Sequence, residues 1–192
     1  DLVLHSATKF LGGHADALGG VLCGSADLIK TVYHYREITG ASLDPMAAYL
    51  FVRSLKTLAL RVRQQNENAL TIARWLQEQP AVEAVNYPGL ETHVHHDVAA
   101  RQMRGFGGML SFSLRGGFEA VKRVLPQLRL AHLAANLGAV ETLAGVPATI
   151  DAEGNADFNV SALREAREAG HPFTLAVGSG APAWELLQGE RR

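Results

Sequence analysis

The first sixteen residues, DLVLHSATKFLGGHAD, constrain the fold more than any other stretch of this chain. Residues 2–4 (Leu-Val-Leu) form an apolar run that predicts the end of a buried strand, and Gly12 and Gly13 interrupt the chain soon afterwards. A strand that ends in a polar, glycine-containing loop places side chains at the carboxyl edge of a sheet, where open α/β proteins hold their ligands. The pattern therefore predicts an α/β fold with Lys9 at the rim of a parallel sheet.

Lys9 and the two hydroxyl residues before it, Ser6 and Thr8, indicate a specific chemistry. A neutral lysine amine can add to an aldehyde carbon, and hydroxyl groups can donate charge-assisted hydrogen bonds to a phosphate. The short pattern Ser-x-Thr-Lys also fits a loop lysine with hydrating hydroxyls, so these residues alone leave both interpretations open. His5 and His14 flank the segment, and we interpret them as structural hydrogen-bonding groups.

A longer string carries a family resemblance. The string Asp-x-Val-x-His-Ser-x-Thr-Lys-Phe-x-Gly-Gly-His-x-Asp, followed by Leu-Gly-Gly-Val at 18–21, resembles the pyridoxal-phosphate (PLP) lysine segment of one enzyme family. That family comprises the cystathionine γ-synthases, cystathionine lyases, methionine γ-lyases and O-acylhomoserine sulfhydrylases. The resemblance continues, in order, through residues 53–58, 68–69, 85–90, 102–103, 107–112 and 136–143.

This resemblance implies a fold and a domain organisation. The fold is the PLP-dependent transferase fold type I, which is aspartate-aminotransferase-like. The family lysine falls near the middle of the chain, so this sequence resembles a carboxyl-terminal half. Residues 1–68 would be the carboxyl-terminal part of the PLP-binding large domain, and residues 69–192 the small α/β domain. We place this boundary inside a helix predicted over residues 55–79, which Pro80 ends, because a long helix joins the two domains in the family.

Local patterns predict the remaining elements. Ser25 is a candidate N-cap for a helix that ends at Gly40, and Asp44 followed by Pro45 is a second helix start. Alternation and turn residues predict strands over residues 82–87, 109–114, 128–133, 140–143 and 173–177, with helices at 98–103, 118–125 and 160–169.

The resemblance also implies roles for the lysine segment. Lys9 would hold pyridoxal 5'-phosphate covalently and then move protons at the substrate carbons, while Ser6 and Thr8 would bind the cofactor phosphate. Pyridoxal phosphate is an electron sink, so the protein mainly positions the substrate and transfers protons. The implied reaction is γ-elimination or γ-replacement on sulfur-containing or O-acylated homoserine-type amino acids, and the implied assembly is a homotetramer built from dimers.

Departures from the family pattern concern the substrate site. Family members usually carry an arginine for the substrate carboxylate in a strand that matches residues 173–178 here, and Thr174 stands at the arginine position. Removing one partner of such a buried charge pair typically costs about 2–5 kcal/mol. Ala135 and Asn136 stand where a glutamate and a serine are common, and this pair is more similar to the acylhomoserine sulfhydrylases. Asn136 and Thr174 are therefore our candidate substrate contacts.

Two explanations of Thr174 stay open. A different group, such as Arg164, holds the carboxylate, or the terminal region has diverged and the activity is weak. Alternative functions are β-elimination from cystathionine and a catalytically degenerate relative with an altered carboxylate site. A generic nucleotide-binding α/β module is a third alternative, but the chain has no glycine-rich phosphate loop of the usual spacings.

Composition excludes several classes of partner. The 18 basic and 19 acidic residues give a net charge of −1, which provides no electrostatic basis for binding nucleic acid or an anionic membrane. No apolar run reaches the roughly 20 residues needed to cross a bilayer, and the start of the chain does not resemble a signal peptide. We therefore expect a cytoplasmic protein that binds a small amino-acid substrate.

Other chemically capable residues have simpler interpretations. Cys23 is the single cysteine and lies in an apolar run, which predicts a buried side chain. Arg61 and Arg63 predict a solvated helix face. Residues 93–96 (His-Val-His-His) lack a cysteine or a well-spaced acidic partner, so we expect a solvated loop and no metal site.

Overall fold

The computed structural model describes residues 1–134, 136–145 and 173–176, with the backbone alone for Phe118 and for 173–176. Ala135, Arg164 and the helix predicted over 160–169 lie outside these residues. The contacts divide the chain into two compact units, Asp1–Ala59 and Leu60–Arg192. Among the described residues, no helix combines the length and the apolar character that a bilayer crossing requires.

The first unit opens with a strand pair. Strand β1 (Leu2–Ser6) runs antiparallel to β2 (Gly20–Gly24) in a two-stranded sheet. The predicted parallel sheet around Lys9 is therefore wrong for the described residues, because the direction of pairing is not encoded in the composition of a single strand. The predicted burial is also wrong: all of β1 is exposed, with Leu4 at 75%, and so is Cys23. A two-stranded sheet lacks the further strands and layers that cover strand residues in larger sheets.

Two helices with clear end signals follow. Helix α1 (Ala26–Thr39) is preceded by Ser25 and ends at Gly40, whose φ of 69° is left-handed. Helix α2 (Pro45–Leu55) has Asp44 as its N-cap, and the Asp44 carboxylate accepts a hydrogen bond of 3.0 Å from the Ala47 amide. Both predicted helix starts are confirmed, although only Asp44 caps its helix with its side chain, since the Ser25 side chain makes no capping hydrogen bond.

In its described residues, the second unit contains a five-stranded sheet and helices. Helix α3 (Leu58–Gln77) begins three residues later than predicted, because α2 extends to Leu55 and a turn follows it. The strand order is β3-β4-β7-β6-β5, in which β5 and β6 are parallel and the other neighbours antiparallel. The strands are β3 (Val82–Asn86), β4 (Met109–Leu114), β5 (Ala131–Leu133), β6 (Thr142–Gly145) and β7 (Phe173–Ala176), with α4 (His96–Gln102), α5 (Gly117–Val124) and a 3-10 turn (Leu125–Gln127).

The core of this unit lies between α3 and the sheet. Alternate residues of β4, from Leu110 to Leu114, are buried and pack with the carboxyl-terminal half of α3. Tyr87, just after β3, is fully buried in the same cluster. Its hydroxyl donates a hydrogen bond of 2.9 Å to the Gly107 carbonyl, which satisfies the one polar group of an otherwise apolar side chain. Burial raises the pKa of Tyr87 to about 12.

Replacing Tyr87 with phenylalanine tests this contact. We expect Tyr87→Phe to lower the free energy of unfolding by about 1–2 kcal/mol at neutral pH, because the Gly107 carbonyl loses its donor. Because the pKa of Tyr87 is raised in the folded state, the un-ionised hydroxyl makes its full contribution to stability below the ordinary pKa of 10.0. This contribution is lost as the pH rises through about 12. Urea unfolding of the full-length protein should therefore show a gap between wild type and variant that narrows above about pH 10. A gap independent of pH would contradict the assignment.

Candidate active site

Lys9 lies in a compact turn that follows β1 directly. Residues Ala7–Leu11 form a turn of π-helix, which Lys9 interrupts with φ of −91° and ψ of −119°. The Gly12 amide donates to the Ala7 carbonyl and the Gly13 amide donates to the Lys9 carbonyl, each at 2.7 Å. We call residues 7–13 the lysine turn. Its backbone is closed on itself, and the Lys9 side chain is half-buried.

The start of β2 fastens the lysine turn. The amides of Ala7 and Thr8 both donate to the Gly19 carbonyl, at 2.8 and 3.3 Å. The Thr8 hydroxyl accepts a hydrogen bond of 3.1 Å from the Gly19 amide and donates to the Gly19 carbonyl at 3.4 Å. The last distance is long for a hydroxyl donor. Because a hydroxyl rotates freely about its C–O bond, Thr8 can redirect this proton to an anion while its oxygen still accepts from Gly19.

Ser6 is placed differently from Thr8. It is the last residue of β1, opposite Gly20 of β2, and its side chain is exposed and does not cap the turn that follows. The three residues predicted from the sequence, Ser6, Thr8 and Lys9, therefore lie together in one short segment beside Gly19 and Gly20.

An aromatic ring from α2 packs against two glycines of this segment. Phe51 is 6% exposed. A Cβ atom added to Gly12 would lie 3.1 Å from the Phe51 ring and 2.9 Å from the Ala7 carbonyl oxygen, and one added to Gly19 would lie 2.6 Å from the ring. Only glycine fits such close approaches. Phe51 therefore fixes the position of the lysine turn relative to α2.

The histidines have local structural partners. The His14 ring nitrogen Nδ1 lies 2.8 Å from the Gly12 carbonyl oxygen and 3.3 Å from the Ser54 hydroxyl oxygen, in agreement with a structural role. His96 Nδ1 lies 2.8 Å from the Pro88 carbonyl oxygen, and His93 Nδ1 accepts from the His95 amide at 3.2 Å. Across residues 1–134, 136–145 and 173–176, no group of three or more His, Cys, Asp or Glu could hold a metal ion.

The candidate substrate residues lie in the second unit. Asn136 follows β5, and its Oδ1 accepts a hydrogen bond of 2.9 Å from the Leu137 amide. Thr174 lies in β7, where its Cα pairs with Ser111 of β4 on one side and with Gly145 of β6 on the other. Thr174 is thus in the middle of the sheet.

Helix α3 has a buried polar face that the sequence pattern did not predict. Arg61 is 6% exposed, so the predicted solvated face is wrong at this position, although Arg63 is exposed. Gln65 and Asn68 are also buried, at 1% and 2% exposure. The spacing of 61, 65 and 68 continues to the buried Ile72 with helical periodicity, and this spacing was the available clue. Burial lowers the pKa of the Arg61 guanidinium from its ordinary value.

Comparison with known proteins identifies relatives of this chain. The family described as Cys/Met metabolism PLP-dependent enzyme matches residues 1–160. Cystathionine gamma-synthase 1, chloroplastic, from Arabidopsis thaliana is 44% identical over 148 residues, which cover 77% of this chain and 26% of that protein. L-methionine gamma-lyase from Fusobacterium nucleatum subsp. nucleatum is 45% identical over 152 residues, which cover 78% of this chain and 38% of that protein.

A solved structure extends this likeness to the fold. The crystal structure of cystathionine gamma synthase from Xanthomonas oryzae pv. oryzae in complex with aminoacrylate and cysteine matches with a TM-score of 0.86 and 38% identity. The match covers 100% of this chain and 49% of that chain. This chain therefore spans about half of that structure and a smaller share of the two relatives above.

Adjacent glycines offer a matched test of the Phe51 packing. We expect Gly19→Ala to lower the free energy of unfolding by about 1–3 kcal/mol, because the new methyl group overlaps the Phe51 ring. Gly20→Ala is the control, since its Cβ would meet only the His5 carbonyl oxygen, at 3.8 Å. Chemical unfolding of the full-length variants measures the difference, and the double variant Gly19→Ala/Phe51→Leu should recover part of the loss. Equal stability of the two glycine variants would refute this packing.

Proposed function

The chain belongs to the family of Cys/Met metabolism PLP-dependent enzymes, and from this premise we propose that the protein containing it catalyses γ-elimination or γ-replacement on sulfur-containing or O-acylated homoserine-type amino acids. The predicted fold type I is confirmed by the solved relative. The observation that carries the proposal is the segment formed by Ser6 at the end of β1 and the lysine turn after it, which brings Lys9 and the hydroxyls of Ser6 and Thr8 together. The γ-synthase and γ-lyase names of the relatives support the γ-reactions, and no observation favours β-elimination.

The residues of the lysine turn fit the needs of pyridoxal phosphate. The cofactor requires an amine for covalent attachment, which Lys9 supplies, and hydrogen-bond donors for its phosphate. The Gly12 and Gly13 amides already donate to carbonyls within the turn. In this segment the phosphate donors are therefore the exposed Ser6 hydroxyl and the Thr8 hydroxyl, whose present donor contact is long.

The chain's own residues supply attachment, positioning and proton transfer. The bound cofactor supplies an electron sink for charge that develops at the substrate Cα. A γ-reaction also requires protons to leave Cα and then Cβ before the Cγ substituent departs. A single amine on a flexible four-carbon stem reaches both carbons in turn, so we assign this general acid–base role to Lys9. The closed backbone of the lysine turn keeps the stem anchored while the amine moves.

Asn136 and Thr174 are proposed to contact the substrate. Threonine cannot form the two-pronged charge pair that an arginine makes with a carboxylate. We therefore propose a carboxylate site that relies on neutral donors at these two positions, and so binds substrate more weakly than an arginine-containing site.

Assembly, location and domain boundary are further parts of the proposal. Large apolar side chains of the first unit are strongly exposed, including Leu18 at 77% and Ile38 at 72%, and such residues commonly mark interfaces. A homotetramer would cover them. We propose a domain boundary near residue 68, inside α3, whereas the contacts divide the chain earlier, at Ala59/Leu60, near the start of that helix. We propose a cytoplasmic location, although the Arabidopsis relative is named as chloroplastic.

Lys9→Ala tests the proposed covalent site. We expect the purified full-length protein to show a visible absorption band from the bound cofactor, which borohydride removes. Lys9→Ala should lose this band and lower kcat by at least about a thousandfold, as expected when the group that transfers the protons is removed. Lys30→Ala, at an exposed lysine of α1, is the control and should retain both. A Lys9→Ala protein that keeps the borohydride-sensitive band would disprove the assignment.

Thr8 variants test the phosphate contact. We expect Thr8→Val to weaken binding of pyridoxal phosphate by about tenfold to a hundredfold, because a charge-assisted hydrogen bond is lost. Thr8→Ser keeps the hydroxyl and should bind like wild type. Pyridoxal without phosphate separates this role from general damage to the turn, since Thr8→Val should bind it as wild type does. Equal weakening for both ligands, measured by titration, would argue against a phosphate contact.

A further inference from the structure

Helix α3 buries polar side chains where a purely structural helix would bury apolar ones. Its buried face changes from Arg61, Gln65 and Asn68 in the amino-terminal half to Ile72 and Leu76 in the other half. The apolar half belongs to the core of the second unit. Burying polar groups is unfavourable unless they make hydrogen bonds. The partners of the polar half therefore indicate what these side chains do.

Gln65 makes one long-range hydrogen bond. Its Nε2 donates to the Ala139 carbonyl at 3.0 Å, across 74 residues of sequence. Its other amide atom, Oε1, is buried and has no hydrogen-bond partner among the residues that the structure describes. An unsatisfied buried acceptor is destabilising. A methionine of similar size would avoid this cost, so the position is not optimised for stability, and what the glutamine contributes is the hydrogen bond that its Nε2 donates to the Ala139 carbonyl.

Ala139 belongs to the loop that carries Asn136. This β5–β6 loop, described over residues 136–141, connects two parallel neighbouring strands. Gly138 has a φ of 80°, and Gly138 and Ala139 are buried. Asn136 stands three residues before the carbonyl that Gln65 holds, with its own Oδ1 bonded to the Leu137 amide. Because the loop backbone is held at Ala139, only three residues away, the Asn136 side chain has little freedom to change its position.

We propose that Gln65 is a positioning residue, whose side-chain amide holds the β5–β6 loop by the Ala139 carbonyl and so places Asn136 against the substrate. This inference rests on the proposed function of Asn136. Gln65 is suited to the role because it lies on a long helix, and rigid elements hold site residues more accurately than loops do. Its influence on the reaction acts through Asn136.

The test compares two methionine variants of α3 in the full-length protein loaded with pyridoxal phosphate. Gln65→Met keeps the side-chain volume but removes the donor. Gln77→Met is the matched control, since Gln77 is exposed on the same helix and bonds only the Thr92 hydroxyl in the described residues, at 3.0 Å. We expect Gln65→Met to lower kcat/KM for an O-acylhomoserine by about tenfold to a hundredfold, as expected for a misplaced site residue. Its thermal midpoint and cofactor absorption should stay close to those of wild type.

Two further readouts separate positioning from a structural role. Amide hydrogen exchange over residues 137–140 should be faster in Gln65→Met than in Gln77→Met. Gln65→Glu cannot donate when ionised but can when protonated, and burial raises the pKa of a carboxyl above its ordinary value of about 4. Its kcat/KM relative to wild type should therefore increase as the pH falls. A purely structural role would not produce this dependence.

The outcomes are distinguishable. An active wild type with an equally active Gln65→Met overturns the inference alone, as does a Gln65→Met protein whose loss of activity follows a large loss of thermal stability. A wild-type protein that binds the cofactor but converts none of the O-acylhomoserines, methionine or cystathionine overturns the proposed function, and the inference with it. Loss of kcat/KM with faster loop exchange and unchanged stability supports both.

Discussion

The arrangement of the first unit depends on two properties of Gly19, which are the hydrogen bonds of its peptide groups and its lack of a side chain. Gly19 lies just before β2, and its peptide groups form hydrogen bonds with Ala7 and Thr8 of the lysine turn. Its missing side chain admits the Phe51 ring. A larger residue would preserve the backbone bonds only by displacing the ring, so packing and hydrogen bonding cannot be satisfied separately. The position of Lys9 follows from both.

Local features of the fold were predictable and non-local ones were not. The helix starts after Ser25 and Asp44 and the bounds of β4 depend on neighbouring residues, and the structure agrees with the sequence there. The antiparallel partner and the exposure of β1 depend on what the rest of the chain places beside it, which an apolar run does not encode. Arg61 was misjudged because a periodicity built on apolar residues treats every arginine as solvated.

The candidate site also has features that could be predicted from the sequence and features that could not. Ser6, Thr8 and Lys9 could be named as candidates because they are close together in a motif, and closeness in sequence guarantees closeness in space. The Thr8 oxygen accepts from the Gly19 amide, and the Gly12 and Gly13 amides donate to carbonyls within the turn. These residues all belong to the motif or to the Leu-Gly-Gly-Val that follows it, but a motif does not say which of its members bond to each other, so these hydrogen bonds are known only from the structure.

The two candidate segments are held by different kinds of contact. Phe51 holds the lysine turn by packing, which is insensitive to small rotations but tolerates no added volume. Gln65 holds the β5–β6 loop by one directional hydrogen bond, which tolerates volume changes nearby but fixes a single carbonyl. The proposed covalent attachment at Lys9 needs the first property, since its geometry serves every substrate. The proposed substrate contact of Asn136 is better served by the second, because on our inference the replacement of a single donor on α3 re-aims Asn136 while the surrounding core stays intact.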